Sequence, residues 1–122
     1  MSDVRPKVLI VEDDDALAYA TSRYLEKEGY DTIVSLSSME AFKELEKNKV
    51  DAVITDIRFP RGEPHGLALG RMIQDKFPEI PIIFITAYPE LLDGEPALPG
   101  IVLRKPVELE AISGTLKSCL SN

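Results

Sequence analysis

Five side chains in this sequence stand where chemistry can be done. Glu12 and Asp13 directly follow the apolar run Val8-Leu9-Ile10-Val11. Asp56 closes Ala52-Val53-Ile54-Thr55, Thr86 follows Ile80-Pro81-Ile82-Ile83-Phe84-Ile85, and Lys105 follows Ile101-Val102-Leu103-Arg104. Short, β-branched runs of this kind read as strands buried in a parallel sheet. In open α/β sheets, ligands gather outside the carboxyl ends of the strands. Three carboxylates, one hydroxyl and one ammonium on such a rim are the parts for phosphoryl transfer with a divalent cation. Hard oxygen ligands suit Mg2+ (or Mn2+). The cation and the lysine would offset charge on a transferring phosphoryl group. A carboxylate can itself be the acceptor, forming an aspartyl phosphate.

Each residue also has a plainer reading. Asp56 could cap the next helix, but Phe59-Pro60-Arg61-Gly62-Glu63-Pro64 delays any helix by several residues. In the run Glu12-Asp13-Asp14-Asp15, one or two acids are explained by a helix start, with Asp14 or Asp15 as the cap. That leaves Glu12 and Asp13, whose mutual repulsion is costly unless a cation sits there. Thr86 could be a cap and Lys105 a solvated lysine. His65, the single histidine, reads as a solvated loop residue rather than a phosphate donor. Cys119, the single cysteine, cannot form an internal disulfide and reads as a helix-face residue.

The elements that must hold this rim alternate along the chain. After a frayed Met1–Pro6, strand Lys7–Val11 leads to a helix over about Ala16–Glu28, with Leu17, Thr21, Tyr24 and Leu25 as its core stripe. Tyr30–Val34 is a strand of mixed character, suited to a sheet edge. Ser37 and Glu40 have the capping-box spacing, and the helix they open buries Ala41, Phe42 and Leu45 before ending near Lys47. The Asp56 strand is followed by a loop over Arg58–His65. A third helix from about Gly66 turns Leu67, Leu69, Met72, Ile73 and Phe77 inward, and Pro78 stops it. The fourth strand is the most apolar. Tyr88–Gly100, with three prolines and two glycines, fits at most a turn or two of helix. A last helix over about Val107–Cys119 faces Leu109, Ile112, Leu116 and Leu120 inward. Repeated βα units give a parallel sheet with helices on both faces.

Composition narrows the classes. The 122 residues are read as one domain, 1–122, with 44% hydrophobic residues, near the globular norm. A net charge of −7 argues against direct nucleic-acid binding, which needs a basic face. No apolar run approaches the roughly 18 residues of a membrane span, and no signal-peptide core is present, so a cytoplasmic location is expected.

Val8-Leu9-Ile10-Val11-Glu12-Asp13, Ile54-Thr55-Asp56-Ile57-Arg58-Phe59-Pro60, Ile85-Thr86-Ala87 and Leu103-Arg104-Lys105-Pro106 together resemble the signatures of the two-component response-regulator receiver domain, in that family's order and over nearly the whole chain. The resemblance implies a flavodoxin-like (βα)5 fold, like that of chemotaxis regulators, with strand order 2-1-3-4-5 and here a degraded fourth helix. It implies a phosphorelay signalling module rather than an enzyme, in which Asp56 accepts a phosphoryl group from a sensor histidine kinase or a histidine phosphotransfer protein. Glu12, Asp13, Asp56 and the backbone carbonyl of Arg58 would hold Mg2+. Thr86 would bond a phosphoryl oxygen, and Lys105 would pair with Asp56 ahead of a cis Lys105-Pro106 bond. Arg58 and Tyr88, each two residues past a site residue, have two readings: bulk that slows attacking water and lengthens the phosphoryl lifetime, or a solvated arginine and a tyrosine that packs on the surface.

The sequence departs from the pattern at three places. Glu12 stands where many members carry Asp. The loop before Gly66 is slightly long. Val102 occupies the position where an aromatic residue usually moves together with the threonine. Other readings are a receiver fragment of a longer regulator with a DNA-binding or enzymatic output, and a pseudo-receiver that binds a partner without chemistry. An aspartyl-phosphate phosphatase fits poorly, because Arg58 replaces the second Asp of its DxDx motif.

Overall fold

The computed structural model describes residues 4–57, 65–95 and 97–121. Strands β1 (Lys7–Val11), β2 (Asp31–Ser35), β3 (Ala52–Asp56), β4 (Ile82–Thr86) and β5 (Ile101–Arg104) form one sheet in the order β2-β1-β3-β4-β5. All neighbouring pairs are parallel. Helices α1 (Asp15–Lys27), α2 (Ser38–Lys47) and α3 (His65–Lys76) lie in the first three crossovers, and α4 (Leu109–Leu120) follows β5. The expected order is therefore observed, as is the expected edge position of β2.

The period of two along each strand divides the core into two layers. Val8, Ile10, Ala52, Ile54, Ile83 and Ile85 pack with Leu25 of α1 and with Ile112 and Leu116 of α4. Leu9, Val11, Val53, Ile82 and Phe84 pack with Ala41 and Leu45 of α2 and with Leu69 and Ile73 of α3. Because both faces are covered, β3 and β4 are buried at every position. Phe84 is fully buried, so truncating it to alanine costs about 3–5 kcal/mol. Its ring lies so close to α3 that a Cβ on Gly70 would sit 2.4 Å from Phe84 Cζ.

Helix starts follow local chemistry. Asp14 caps α1, its Oδ1 accepting the Leu17 N–H at 3.0 Å. Ser37 Oγ accepts the Glu40 N–H at 3.2 Å, while Glu40 Oε1 reaches back to the Leu36 N–H at 3.4 Å. The backbone of His65 opens α3 rather than belonging to the preceding loop.

Two expected core residues face outward. Leu17 is 39% exposed and Met72 49% exposed. On α1 the buried positions are Ala18, Thr21 and Leu25, because the small Ala18 lets the helix lie close to the sheet. Where a fourth long helix would complete the fold there is only a 3-10 turn, Pro89–Leu92. Its segment is nonetheless anchored: Leu92 is buried in the core, and Leu98 packs against the same cluster. Arg71 of α3 also holds Glu95 Oε1 at 2.9 Å and the Ala97 carbonyl at 3.3 Å.

Candidate phosphoacceptor site

The parallel ladder continues one residue past β1, β3 and β5 on the carboxyl side. The Glu12 N–H donates to the Ser35 carbonyl at 3.1 Å, the Ile57 N–H to Ile85 at 3.3 Å and the Lys105 N–H to Thr86 at 2.8 Å. The rim residues therefore sit on backbone fixed by the sheet, not on free loop. Lys105 Nζ lies 2.8 Å from Asp56 Oδ2 and 3.8 Å from Glu12 Oε1. The other Glu12 oxygen, Oε2, accepts the Asp14 N–H at 3.2 Å. Glu12, Asp13 and Asp56 each offer a carboxylate oxygen, and these oxygens lie within 4.8 Å of one another.

Burial dominates the electrostatics of Glu12. With its side chain only 11% exposed, desolvation pushes its carboxyl up to about 7. The Asp14 N–H and Lys105 oppose the shift, whereas the neighbouring Asp56 adds to it. Burial works against the charged form of Lys105 too, but the hydrogen bond to Asp56 and the charges of Asp56, Glu12 and Asp13 outweigh it. Its ammonium is held above the ordinary lysine range. Lys105 thus stays charged and offsets part of the carboxylate repulsion. The remaining negative charge, carried by hard oxygens, fits Mg2+ or Mn2+ rather than a soft metal.

Thr86 is buried at the end of β4. Its Oγ1 accepts the Tyr88 N–H at 3.0 Å, which leaves the hydroxyl proton as what it can offer an anion. The Tyr88 side chain is 49% exposed. The Lys105-Pro106 bond is cis, as the resemblance implies. Arg58, expected to supply a carbonyl ligand and side-chain bulk, lies outside the described residues, and so does the His65 side chain.

Three features had not been anticipated. A cavity of about 390 Å3 is lined by Glu12, Asp56 and Lys105 and, among its apolar residues, by Leu17, Pro106 and Ile112. Leu17 is exposed because it faces this space. The Glu12 carboxylate is divided between Asp14 and Lys105. Finally, Thr55 Oγ1 donates to the Asp56 carbonyl at 2.9 Å. The signal for it was a lone hydroxyl inside an apolar run, one residue before the acid.

Residues 8–116 match the family model for the response regulator receiver domain. The chain is 35% identical over 115 residues to the heme response regulator HssR of Staphylococcus saprophyticus, covering 92% of this chain and 50% of that protein. It is 32% identical over 123 residues to the transcriptional regulatory protein GlrR of Escherichia coli, covering 98% of this chain and 27% of that protein. It thus spans half or less of the length of these relatives. Among solved structures, the chemotaxis response regulator CheY4 of Vibrio cholerae superposes with a TM-score of 0.82 at 25% identity, over 96% of this chain and 100% of that one. The response regulator TrrA of Thermotoga maritima, in complex with Mg2+-BeF, has the same fold, with a TM-score of 0.84 at 24% identity over 94% and 99% of the two chains. The chain belongs to the response regulator receiver domain family, the phosphorelay signalling domain of two-component systems.

Proposed function

We propose that residues 1–122 act as one receiver domain and that Asp56 is its phosphoryl acceptor. The observation that carries this reading is the Lys105 ammonium 2.8 Å from Asp56 Oδ2, beside the carboxylates of Glu12 and Asp13. The donor is a phosphohistidine of a sensor kinase or a histidine phosphotransfer protein. A carboxylate oxygen of Asp56 bonds to phosphorus as the phosphorus–nitrogen bond breaks, and the leaving imidazole takes up a proton. Lys105 holds the accepting carboxylate and faces the charge that develops on the phosphoryl oxygens. Thr86 donates its hydroxyl proton to one of these oxygens. Glu12, Asp13, Asp56 and the Arg58 carbonyl would hold Mg2+. When bound, that cation offsets the negative charge of both carboxylates and phosphoryl group.

The apolar cavity beside Asp56 gives a protein donor a place to seat an apolar side chain while its histidine reaches the acid. Tyr88 and Arg58 shield the phosphoryl group from attacking water. Among the described residues no helix is long and apolar enough to cross a membrane. Incubation with phosphoramidate and Mg2+, followed by intact mass and peptide mapping, tests the acceptor. One phosphoryl group on the peptide containing Asp56 is expected. A label on any other residue overturns the assignment.

A further inference from the structure

The peptide unit that leaves Asp56 is held at both ends. Its carbonyl accepts the Thr55 hydroxyl at 2.9 Å, and its N–H, that of Ile57, donates to the Ile85 carbonyl at 3.3 Å. The next carbonyl, that of Ile57, accepts the Gly66 N–H at 3.1 Å. Gly66 approaches so closely that a Cβ there would lie 1.8 Å from the Asp56 carbonyl oxygen. Thr55 is fully buried and lies on the Val53 side of β3, facing the layer that contains α3. Asp56 projects to the opposite side, toward Glu12 and Lys105.

From this we infer that Thr55 is a positioning residue for the acceptor: its hydroxyl fixes the peptide plane that sets where the Asp56 carboxylate stands. The inference rests on the reading of Asp56 as acceptor. A threonine in a strand is otherwise explained by its β-branched shape alone. The two explanations separate because shape and hydroxyl can be removed one at a time. If the peptide plane turns, the Asp56 Cα moves with it, and the carboxylate leaves its alignment with Lys105 and with the two acids that follow β1. Small misplacements of reacting groups are costly in rate. Asp56 is itself one of the three carboxylates that could hold a cation, so the metal site shifts together with the acceptor.

The test compares Thr55→Val, which keeps the shape and loses the hydroxyl, with Thr55→Ser, which keeps the hydroxyl and loses the methyl group. Both variants lose some stability, Val by stripping a buried carbonyl of a donor and Ser by opening a small void. Melting curves first fix a temperature at which wild type and both variants are folded. Phosphoramidate labelling is then expected to slow about tenfold in Thr55→Val and to stay within about twofold of wild type in Thr55→Ser. In the absence of any phosphodonor, Mg2+ titrations followed by the amide signals of Glu12, Asp13 and Asp56 should show weaker binding in Thr55→Val only. Equal impairment of both variants would reduce Thr55 to a packing residue and overturn the inference. So would wild-type labelling and Mg2+ affinity in Thr55→Val. Failure of the acceptor reading looks different: wild type would carry no label on Asp56, while the Mg2+ titration would still report whether Thr55 positions the carboxylate.

Discussion

Two regions at the carboxyl rim of the sheet are built differently. At the acceptor end, Asp56, Glu12 and Lys105 are largely buried and joined by short charged contacts, and the backbone beneath them is bonded past the strand ends. At the other end, Thr86 leads into residues 88–100, where a 3-10 turn replaces a helix and the link to α3 is a half-exposed pair between Arg71 and Glu95. Val102 packs there as a partly buried residue, with no ring to rotate. The proposed chemistry thus falls to a desolvated cluster joined by short charged contacts, whereas residues 88–100 are held by buried Leu92, by partly buried Leu98 and by the contacts of Arg71 with Glu95 and the Ala97 carbonyl. A site can keep its full set of reacting groups while the path leading out of it changes.

Substitutions on the two sides should differ sharply in size. The largest effect belongs to Asp56→Asn, which is nearly isosteric but cannot accept a phosphoryl group. Labelling by phosphoramidate should disappear while circular dichroism and melting stay close to wild type. Undiminished labelling would place the acceptor elsewhere and dissolve the comparison.

Next in size is the response to metal. Mg2+ should raise the melting temperature by mass action, since it relieves the crowding of Glu12, Asp13 and Asp56. Asp13→Ala should remove most of that rise and leave the metal-free protein as stable as wild type or more so. A full Mg2+ response in that variant would mean that the cation binds away from the rim.

A third prediction uses pH. In the metal-free fold the Glu12 carboxyl titrates near 7, against an ordinary 4.5. The folded state therefore binds more protons than the unfolded state between those values. Glu12 contributes stability that is fully present below pH 4.5, falls as pH rises through the window and is lost above about 7. The contribution is on the order of 1–3 kcal/mol. Urea unfolding with a chelator present, at about pH 5 and pH 8, should show this loss, and Glu12→Gln should flatten it. An unchanged slope in Glu12→Gln would assign the pH dependence to other groups.

The smallest effects belong to the reporting end. Arg71→Ala should cost about 0.2–1 kcal/mol, as expected for an exposed ion pair. It should speed amide exchange near Glu95 and Ala97 without slowing phosphorylation of Asp56. A beryllofluoride phosphoryl mimic should alter exchange across 88–100 in both proteins. Changes confined to β5 and α4, with 88–100 unaltered, would show that the signal leaves by another route.

The parts of the fold most legible in the sequence were those whose burial is nearly complete. β3 and β4 are covered on both faces, so they read as short runs, apolar but for Thr55, ending at Asp56 and Thr86. Prolines and glycines after Thr86 likewise made a long fourth helix improbable, and among the described residues between β4 and β5 the one helical element is the 3-10 turn Pro89–Leu92. Amphipathic helices were legible as helices but less so in their facing. Leu17 and Met72 fit a helical stripe, yet both stand partly exposed. Periodicity states which residues share a face, not whether a neighbour covers it.

The residue types and strand-end positions of Glu12, Asp13, Asp56, Thr86 and Lys105 were set by the sequence, because a parallel sheet delivers every strand's carboxyl end to one rim. Only the tertiary structure decided how they meet. That Lys105 is shared between Asp56 and Glu12, that burial lifts the Glu12 carboxyl, that Thr55 bonds to the Asp56 carbonyl and that Leu92 anchors a segment without a helix all depend on residues far apart in the chain or on distances of a few tenths of an ångström. Contacts of that kind follow from packing of the whole core, which no local pattern of residues encodes.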